Sequence, residues 1–289
     1  MKGRIISTSG GVYSVLSDGV IYRSFARGLF RHKKIKPVVG DIVEIDETSF
    51  AMTSIDERKS FLKRPLISNI DRLIIVFSVC QPDFSFLLAF KYLTYANLYG
   101  IPCSIVLTKI DKTENKEEIA KIKEVFETMN IDVRLVCNKT KEGIEEIKTL
   151  LEGKTTCFMG QTGVGKSSLI NNIDENYERK IGEYSYALGR GKHQTKEVVL
   201  LPYKDGFIAD TPGFSSLDLE LFKEDLAEYF PCFGDYYTKC YFSNCLHISE
   251  SKCEVKKAIS EGKIPQIAYD CYIKLSNETI SKSKEYIAR

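Results

Sequence analysis

Gly160-Gln161-Thr162-Gly163-Val164-Gly165-Lys166-Ser167 is a phosphate-binding loop, and its place in the chain decides the fold. Its glycines let successive backbone N–H groups curl around phosphate oxygens at the positive end of the following helix. Lys166 then reaches the β- and γ-phosphates, and the Ser167 hydroxyl is a ligand for Mg²⁺. Thr108-Lys109-Ile110-Asp111 has the make-up of a guanine-reading loop, yet it stands about fifty residues before the phosphate loop rather than after it. Asp210-Thr211-Pro212-Gly213 follows 43 residues beyond Ser167 and has the make-up of a switch II turn. The three segments must meet in space, not in one chain order, and termini that lie close together can be joined while new ends open elsewhere. The order therefore implies a circularly permuted P-loop GTPase.

Working outward, residues 73–79 form a continuous apolar run, as expected of a strand buried on both faces. A helix is predicted over 84–99, a strand over 103–107, a helix over 116–129, a strand over 133–137 and a helix over 143–151. The strand 155–159 then feeds the phosphate loop and a helix over 166–173. Strands alternating with helices make this a central α/β domain. Residues 174–196 are polar and glycine-bearing, without a clear period, and read as a loop. The segments 198–201 and 207–209 flank Lys204-Asp205-Gly206 and read as a hairpin leading into Asp210. Beyond Glu220 the chain is predicted to be mainly helical outside a cysteine cluster.

Before residue 65 the grammar differs. Short alternating apolar stretches punctuated by Asp18-Gly19 and Gly40-Asp41 indicate a small all-β barrel, of which the oligonucleotide-binding (OB) type is one candidate. Residues 1–64 hold 12 Lys and Arg against 7 Asp and Glu, a net of +5 in a chain whose total is +2. That asymmetry fits either a polyanionic partner or a solvated basic face. No apolar run approaches the roughly 20 residues that span a bilayer, and the start lacks the apolar core of a secretory signal. No membrane association and a cytoplasmic location are expected.

Base recognition would fall to Asp111, whose carboxylate can accept from the two adjacent N–H donors of guanine that adenine does not present together. Lys109 can lay its stem over the base, with Thr108 and Ile110 completing the loop. Thr108 stands where Asn is more usual. Cys137 and Asn138 end the next predicted strand, where a backbone N–H reaches the guanine oxygen. Asp210 can hold Mg²⁺ through water beside the γ-phosphate, and Gly213 can offer its N–H to that phosphate. After Gly213 stands Phe214, where Ras-like enzymes place the Gln that orients the attacking water. An aromatic ring cannot do this, so intrinsic turnover should be slow.

Of nine cysteines, Cys80, Cys103, Cys137 and Cys157 lie in or beside apolar runs and read as small buried residues. Cys240, Cys245, His247 and Cys253 make a complete tetrahedral set for one structural Zn²⁺, with Cys232 or Cys271 as competing ligands.

Taken together, these residues resemble the RsgA (YjeQ) family of circularly permuted GTPases that depend on the small ribosomal subunit. Gly160 to Ser168 is similar to the family's phosphate loop, with Thr162 where Ser is commoner. Gly189-Arg190-Gly191-Lys192-His193-Gln194-Thr195 is similar to its switch I, from which Gln194 departs. The resemblance implies an OB-like RNA-binding barrel over 1–64, a permuted GTPase domain over 65–218 and a mainly helical zinc module over 219–289. It implies GTP hydrolysis to GDP and phosphate, stimulated by the small subunit late in that subunit's maturation, with ribosomal RNA contacted by the barrel and the zinc module. Thr195 would join Ser167 and Asp210 at Mg²⁺, and His193 would position water alongside Lys166. A monomer is expected. The competing reading is a GTP/GDP-sensing RNA-binding switch in which hydrolysis is incidental.

Overall fold

The computed structural model describes residues 1–26, 30, 36–177, 179, 198–211 and 217–280. Five strands close the N-terminal barrel: β1 (Lys2–Ser9), β2 (Val12–Ser17), β3 (Val20–Ala26), β4 (Ile42–Ile45) and β5 (Ala51–Ile55). Their order is β1-β2-β3-β5-β4, with β1 also pairing β4 and with β3 and β5 running parallel. This closure is that of an OB fold. Alternate residues turn inward, and Ile5, Val15, Val43, Ile45 and Met52 fill the interior.

One buried carboxylate ties the barrel to the chain that follows. Asp41 accepts from Val38 N–H (2.9 Å), from Ser68 Oγ (2.6 Å), and from Arg58 Nε and Nη2 (2.7 and 2.8 Å). Its side chain is fully buried, and these donors replace the water it has lost. Ser68 belongs to a short hairpin, β6 (Phe61–Leu62) with β7 (Ile67–Ser68).

The second sheet has six strands: β8 (Arg72–Ser78), β9 (Cys103–Thr108), β10 (Val133–Leu135), β11 (Thr155–Gly160), β12 (Val199–Tyr203) and β13 (Gly206–Asp210). Their order is β10-β9-β8-β11-β13-β12. Residues 72–135 thus supply one half of the sheet and residues 155–210 the other. The halves meet where β8 and β11 pair in parallel, from Arg72↔Thr156 to Val76↔Gly160. β13 also runs parallel to β11, and β12 closes the edge antiparallel. The expected alternation of strands and helices is present, and the expected hairpin is β12–β13. β10 stops at Leu135, two residues short of the expected 137: Val136 N–H still bonds Leu107 O (2.8 Å), and Cys137 N–H, on the side away from β9, bonds Glu142 O (3.1 Å).

The α-helices lying wholly within the described residues are α1 (Phe86–Leu98), α2 (Lys116–Glu127), α3 (Ile144–Leu151), α4 (Lys166–Ile173), α5 (Leu226–Tyr229), α6 (Glu254–Ser260) and α7 (Gln266–Glu278). Ile144, Ile147 and Leu151 of α3 fall on one face by helical spacing, as do Leu169, Ile170 and Ile173 of α4. Both faces are buried against Ile74, Val76, Val106 and Phe158 of the sheet. None of the described helices is long and apolar enough to cross a membrane.

By compactness the chain separates into two units. The first holds residues 1–82, 104–113 and 134–215, hence the barrel and the sheet, and the second holds 83–103, 114–133 and 216–289. The second is organised by aromatic rings. Phe126 of α2 meets Phe86 and Phe90 of α1 at 5.9 and 5.6 Å. Phe90 stacks on Phe230 at 5.3 Å, and Phe230 meets Tyr272 of α7 at 5.2 Å.

Within the first unit, Arg4 of the barrel clasps the sheet. Its Nη1 donates to Thr155 Oγ1 (2.6 Å) and its guanidinium lies 4.7 Å from the centre of the Phe207 ring. Thr155 opens β11 and Phe207 lies in β13, so one cation joins both strands at the end opposite their motif loops. Arg4→Met keeps the stem but removes the charged donor and the ring contact. It should lower stability by about 1.5–3 kcal/mol, read as a lower urea midpoint, with Arg4→Lys in between.

Candidate functional site

Parallel strands put their C-terminal ends on one edge, and the motif loops leave from that edge. β9 ends at Thr108, β11 at Gly160 and β13 at Asp210. Gly160 has no room for a side chain, since a Cβ there would stand 2.4 Å from Val76 O. Gly165 holds φ at +90°, a conformation natural to glycine, and it caps the start of α4 with no side-chain hydrogen bond. The N–H groups at that helix start have no intrahelical partner and are therefore donors for an anion. A cavity of about 410 Å³ opens here, lined by Lys109, Gln161, Thr162, Gly163, Lys166 and Ser168, with Ser167 also on its wall. A larger cavity of about 710 Å³ is lined by Gly10, Lys36, Arg64 and Val198 and contains none of the motif residues.

Lys166 is nearly buried and points its ammonium at Asp210 Oδ1 and at Thr211 O (2.5 Å). Lys166, on the cavity wall, and Asp210, at the end of β13, thus form an ion pair. Thr211 Oγ1 donates to Phe158 O (2.7 Å), which fixes the turn on β11.

The loop after β9 braces the phosphate loop. Thr108 Oγ1 donates to Val164 O, with Phe77 O at 3.2 Å as a second acceptor. Thr108 is fully buried, so the departure from Asn keeps a donor at this point. Lys109 Nζ donates to Gly163 O (2.7 Å) and to Gln81 O. Ile110 and Asp111 continue into a short 3-10 turn, Ile110–Lys112, where Asp111 is exposed. Cys137 is buried with its N–H on Glu142 O, whereas Asn138 is half-buried beside Gly165. His193, Thr195 and Gly213, with Phe214, lie outside the described residues.

A second constellation lies in the other unit. The ligand atoms of Cys240, Cys245, His247 and Cys253 are all within 4.8 Å of one another, and among the described residues neither Cys232 nor Cys271 joins them. His247 Nδ1 is 3.4, 3.4 and 3.3 Å from the three sulfurs, and Cys240 Sγ is 3.8 Å from Cys253 Sγ. With Zn–S about 2.3 Å and Zn–N about 2.0–2.1 Å, a tetrahedron has S···S edges of about 3.8 Å and S···N edges of about 3.5 Å. The donor set therefore fits one zinc ion with no open position. Sequence order could not reveal the supports of this cluster. Tyr269 Oη donates to His247 O (2.8 Å) and Tyr272 Oη to Leu246 O (2.9 Å). Glu250 accepts from Leu246 and Ile248 N–H at 2.8 and 2.9 Å.

Burial pushes the Cys245 thiol up to about 12, raises Cys253 and lowers the His247 imidazole. A divalent cation must displace the thiol protons, so its hold weakens as pH falls. Purified protein should carry about one zinc per chain, and Cys245→Ser should lose most of it while Cys232→Ser keeps it. Metal analysis of both variants checks this ligand set.

Residues 55–220 match the RsgA GTPase family and residues 2–53 match the RsgA N-terminal domain. The chain is 40% identical to the small ribosomal subunit biogenesis GTPase RsgA of Geobacillus kaustophilus, over 99% of each chain. Identity to the protein of that name in Staphylococcus saprophyticus is also 40%, over 98% of this chain and 99% of that one. The crystal structure of YjeQ from Thermotoga maritima superposes with a TM-score of 0.83 at 30% identity, covering 96% of this chain and 97% of that one. For YloQ, a circularly permuted GTPase, the TM-score is 0.78 at 33% identity, covering 96% and 94%. With its barrel, its permuted sheet and its Cys3His cluster in place, this chain belongs to the RsgA family of GTPases.

Proposed function

We propose that this protein is a GTPase of small ribosomal subunit biogenesis, acting late in maturation, which binds ribosomal RNA and leaves the subunit as GTP is hydrolysed. The observation that carries the reading is the meeting of the Thr108-Lys109 loop, the phosphate loop and Asp210 on one sheet edge, in a chain of this family. GTP would lie along the loop 160–168, with its base at Asp111 and Lys109 and with the N–H of Asn138 toward the guanine oxygen. Gly213 would offer its N–H to the γ-phosphate.

Ser167 and Asp210, with Thr195 from switch I, would hold Mg²⁺, which would supply neutralisation of charge on the phosphates. Lys166 must leave Asp210 for the phosphates, so nucleotide binding exchanges one ion pair for another. Phe214 leaves no side chain to orient water at its position, and His193 would take that role with an activator's help. Zinc is structural. The domain limits 1–64, 65–218 and 219–289, a monomeric state and a cytoplasmic location belong to the same proposal.

RNA contact by the zinc module is supported by two rings. Tyr241 is 70% exposed and Phe242 44%, between ligands Cys240 and Cys245, and the Lys252 ammonium lies 4.5 Å from the Tyr241 ring centre. Exposed aromatic faces beside a cation suit unpaired bases. The chain has no Trp, so a Tyr241→Trp variant carries a single tryptophan, which can be excited apart from the remaining tyrosines. Its emission should be quenched on adding small subunits, and unchanged emission with retained binding removes this contact.

The reading of Phe214 also favours a binding switch with incidental hydrolysis. Single-turnover GTP hydrolysis with and without small subunits separates the two. The enzyme reading expects at least tenfold acceleration, on the order of what a supplied catalytic group gives, reduced about 100-fold by His193→Ala. Equal rates with and without subunits leave only the switch. For the base, Asp111→Asn should weaken GTP at least tenfold, from about 1.5–3 kcal/mol of lost charge-assisted bonding, with a gain for xanthosine triphosphate. Direct titration of both nucleotides measures it.

A further inference from the structure

Three successive carbonyls of the phosphate loop are each taken by a different side chain. Lys109 Nζ donates to Gly163 O (2.7 Å), Thr108 Oγ1 to Val164 O, and Asn138 Nδ2 to Gly165 O (3.0 Å). In a trans peptide the carbonyl of one residue and the N–H of the next point in opposite directions within one plane. Fixing these three carbonyls on the outside therefore aims the N–H groups of Val164, Gly165 and Lys166 the other way. Those are the donors that a phosphate cradle needs.

The third brace is the unexpected one. The sequence assigns the 137–138 stretch a backbone contact to guanine, with no role for the Asn138 side chain. Its amide is nevertheless oriented from both sides. Asn172 Nδ2 lies 2.9 Å from Asn138 O and 3.4 Å from Asn138 Oδ1, which leaves Nδ2 of Asn138 for Gly165 O. Asn172 sits on α4, the helix that Gly165 begins, so the contacts close a ring from helix to guanine-side loop to phosphate loop. Leu169 N–H already bonds Gly165 O at 2.9 Å, and Asn138 fills that oxygen's second lone pair. The fit is tight, since a Cβ on Gly165 would stand 3.0 Å from Asn138 Nδ2.

We propose that the Asn138 side chain is a positioning residue of the phosphate cradle, holding the Gly165–Lys166 peptide so that Lys166 N–H faces the nucleotide's β-phosphate. This rests on the reading of the cavity as a guanine-nucleotide site. The loop that meets the base then also sets the cradle, while its backbone N–H remains for the guanine oxygen whatever side chain stands at 138.

The test uses the full, zinc-loaded protein and compares GDP, GMP, ADP and xanthosine diphosphate by displacement of a fluorescent GDP. Asn138→Ala should weaken GDP about three- to tenfold, the range of one net hydrogen bond. GMP, which lacks the β-phosphate, should change less than about twofold by the same reasoning, and preference for GDP over xanthosine diphosphate should persist. Asn138→Asp, which has an acceptor where the donor stood, should weaken GDP further. Asn172→Ala should move the GDP-to-GMP ratio in the same direction by less. A purely structural role would lower GDP and GMP together. Equal losses of GDP and GMP in Asn138→Ala, or unchanged GDP in both Asn138→Ala and Asn138→Asp, overturn the proposal. Wild-type protein that binds ADP as tightly as GDP overturns the guanine-site reading instead, and the two failures are distinguishable because the GDP-to-GMP comparison reads only the cradle.

Discussion

The parallel pairing of β8 with β11 is the constraint on which the candidate site depends. These strands are 83 residues apart in sequence by their first positions, Arg72 and Thr155, and no local connection brings them together. Their register is set by burial and by size. All six residues of β11 are buried, and a slip of one residue would move every side chain to the opposite covered face of the sheet, against the wrong neighbours. It would also move Gly160 from the one position where its missing Cβ matters, opposite Val76. Once that register is made, the guanine-side loops from β9 and β10 and the phosphate loop from β11 emerge on one edge. Their side chains then find each other, through Thr108 with Val164, Lys109 with Gly163 and Asn138 with Gly165. Chain order is irrelevant to this geometry because hydrogen bonds, not peptide links, join the two halves of the sheet.

The second unit solves a different problem. Its C-terminal helices are short, with four residues in α5 and seven in α6, well below the length at which isolated helices persist. Two devices compensate. A closed metal site would cross-link the loop 240–253, and aromatic rings connect that loop to longer helices. Phe233 lies 5.8 Å from His247 and 4.6 Å from Tyr272, which in turn meets Phe230. From there the contacts run to Phe90 and Phe126, so three distant stretches of chain share one interior.

Much of this was legible in the sequence where local chemistry is decisive. The phosphate loop, the buried strand from Leu73, the helix beginning at Lys166 and the cysteine cluster are each specified by residues next to one another. The barrel was visible as a barrel, and only its closure, with β3 parallel to β5, singles out the OB type from other small barrels. What stayed hidden was long-range. The apolar make-up of α1 announces a buried helix, but not that Phe126 and Phe230 pack on its Phe90. Nothing near Asp41 announces Arg58 and Ser68, and nothing near Asn138 announces Gly165. The expected strand to Cys137 runs two residues past β10, because the apolar run continues through Cys137 while the backbone there already turns back toward Glu142 O. Apolar patterning reports burial and is silent about hydrogen-bond direction.

The split sheet also has a consequence for synthesis. β8, β9 and β10 leave the ribosome before β11 exists, and β8 then has one bare edge. Six of its seven residues end up buried, so that edge is flat, apolar and adhesive while it waits. At roughly 5–20 residues per second, the interval before β11 emerges is on the order of 4–16 s. In the unpermuted order the phosphate-loop strand would be made first and the exposure would fall on the other half. Permutation leaves the finished site unaltered but changes which surface the nascent chain must keep from its neighbours, so selection on translation speed and chaperone access would act on residues 72–78 rather than on the loop that meets the nucleotide.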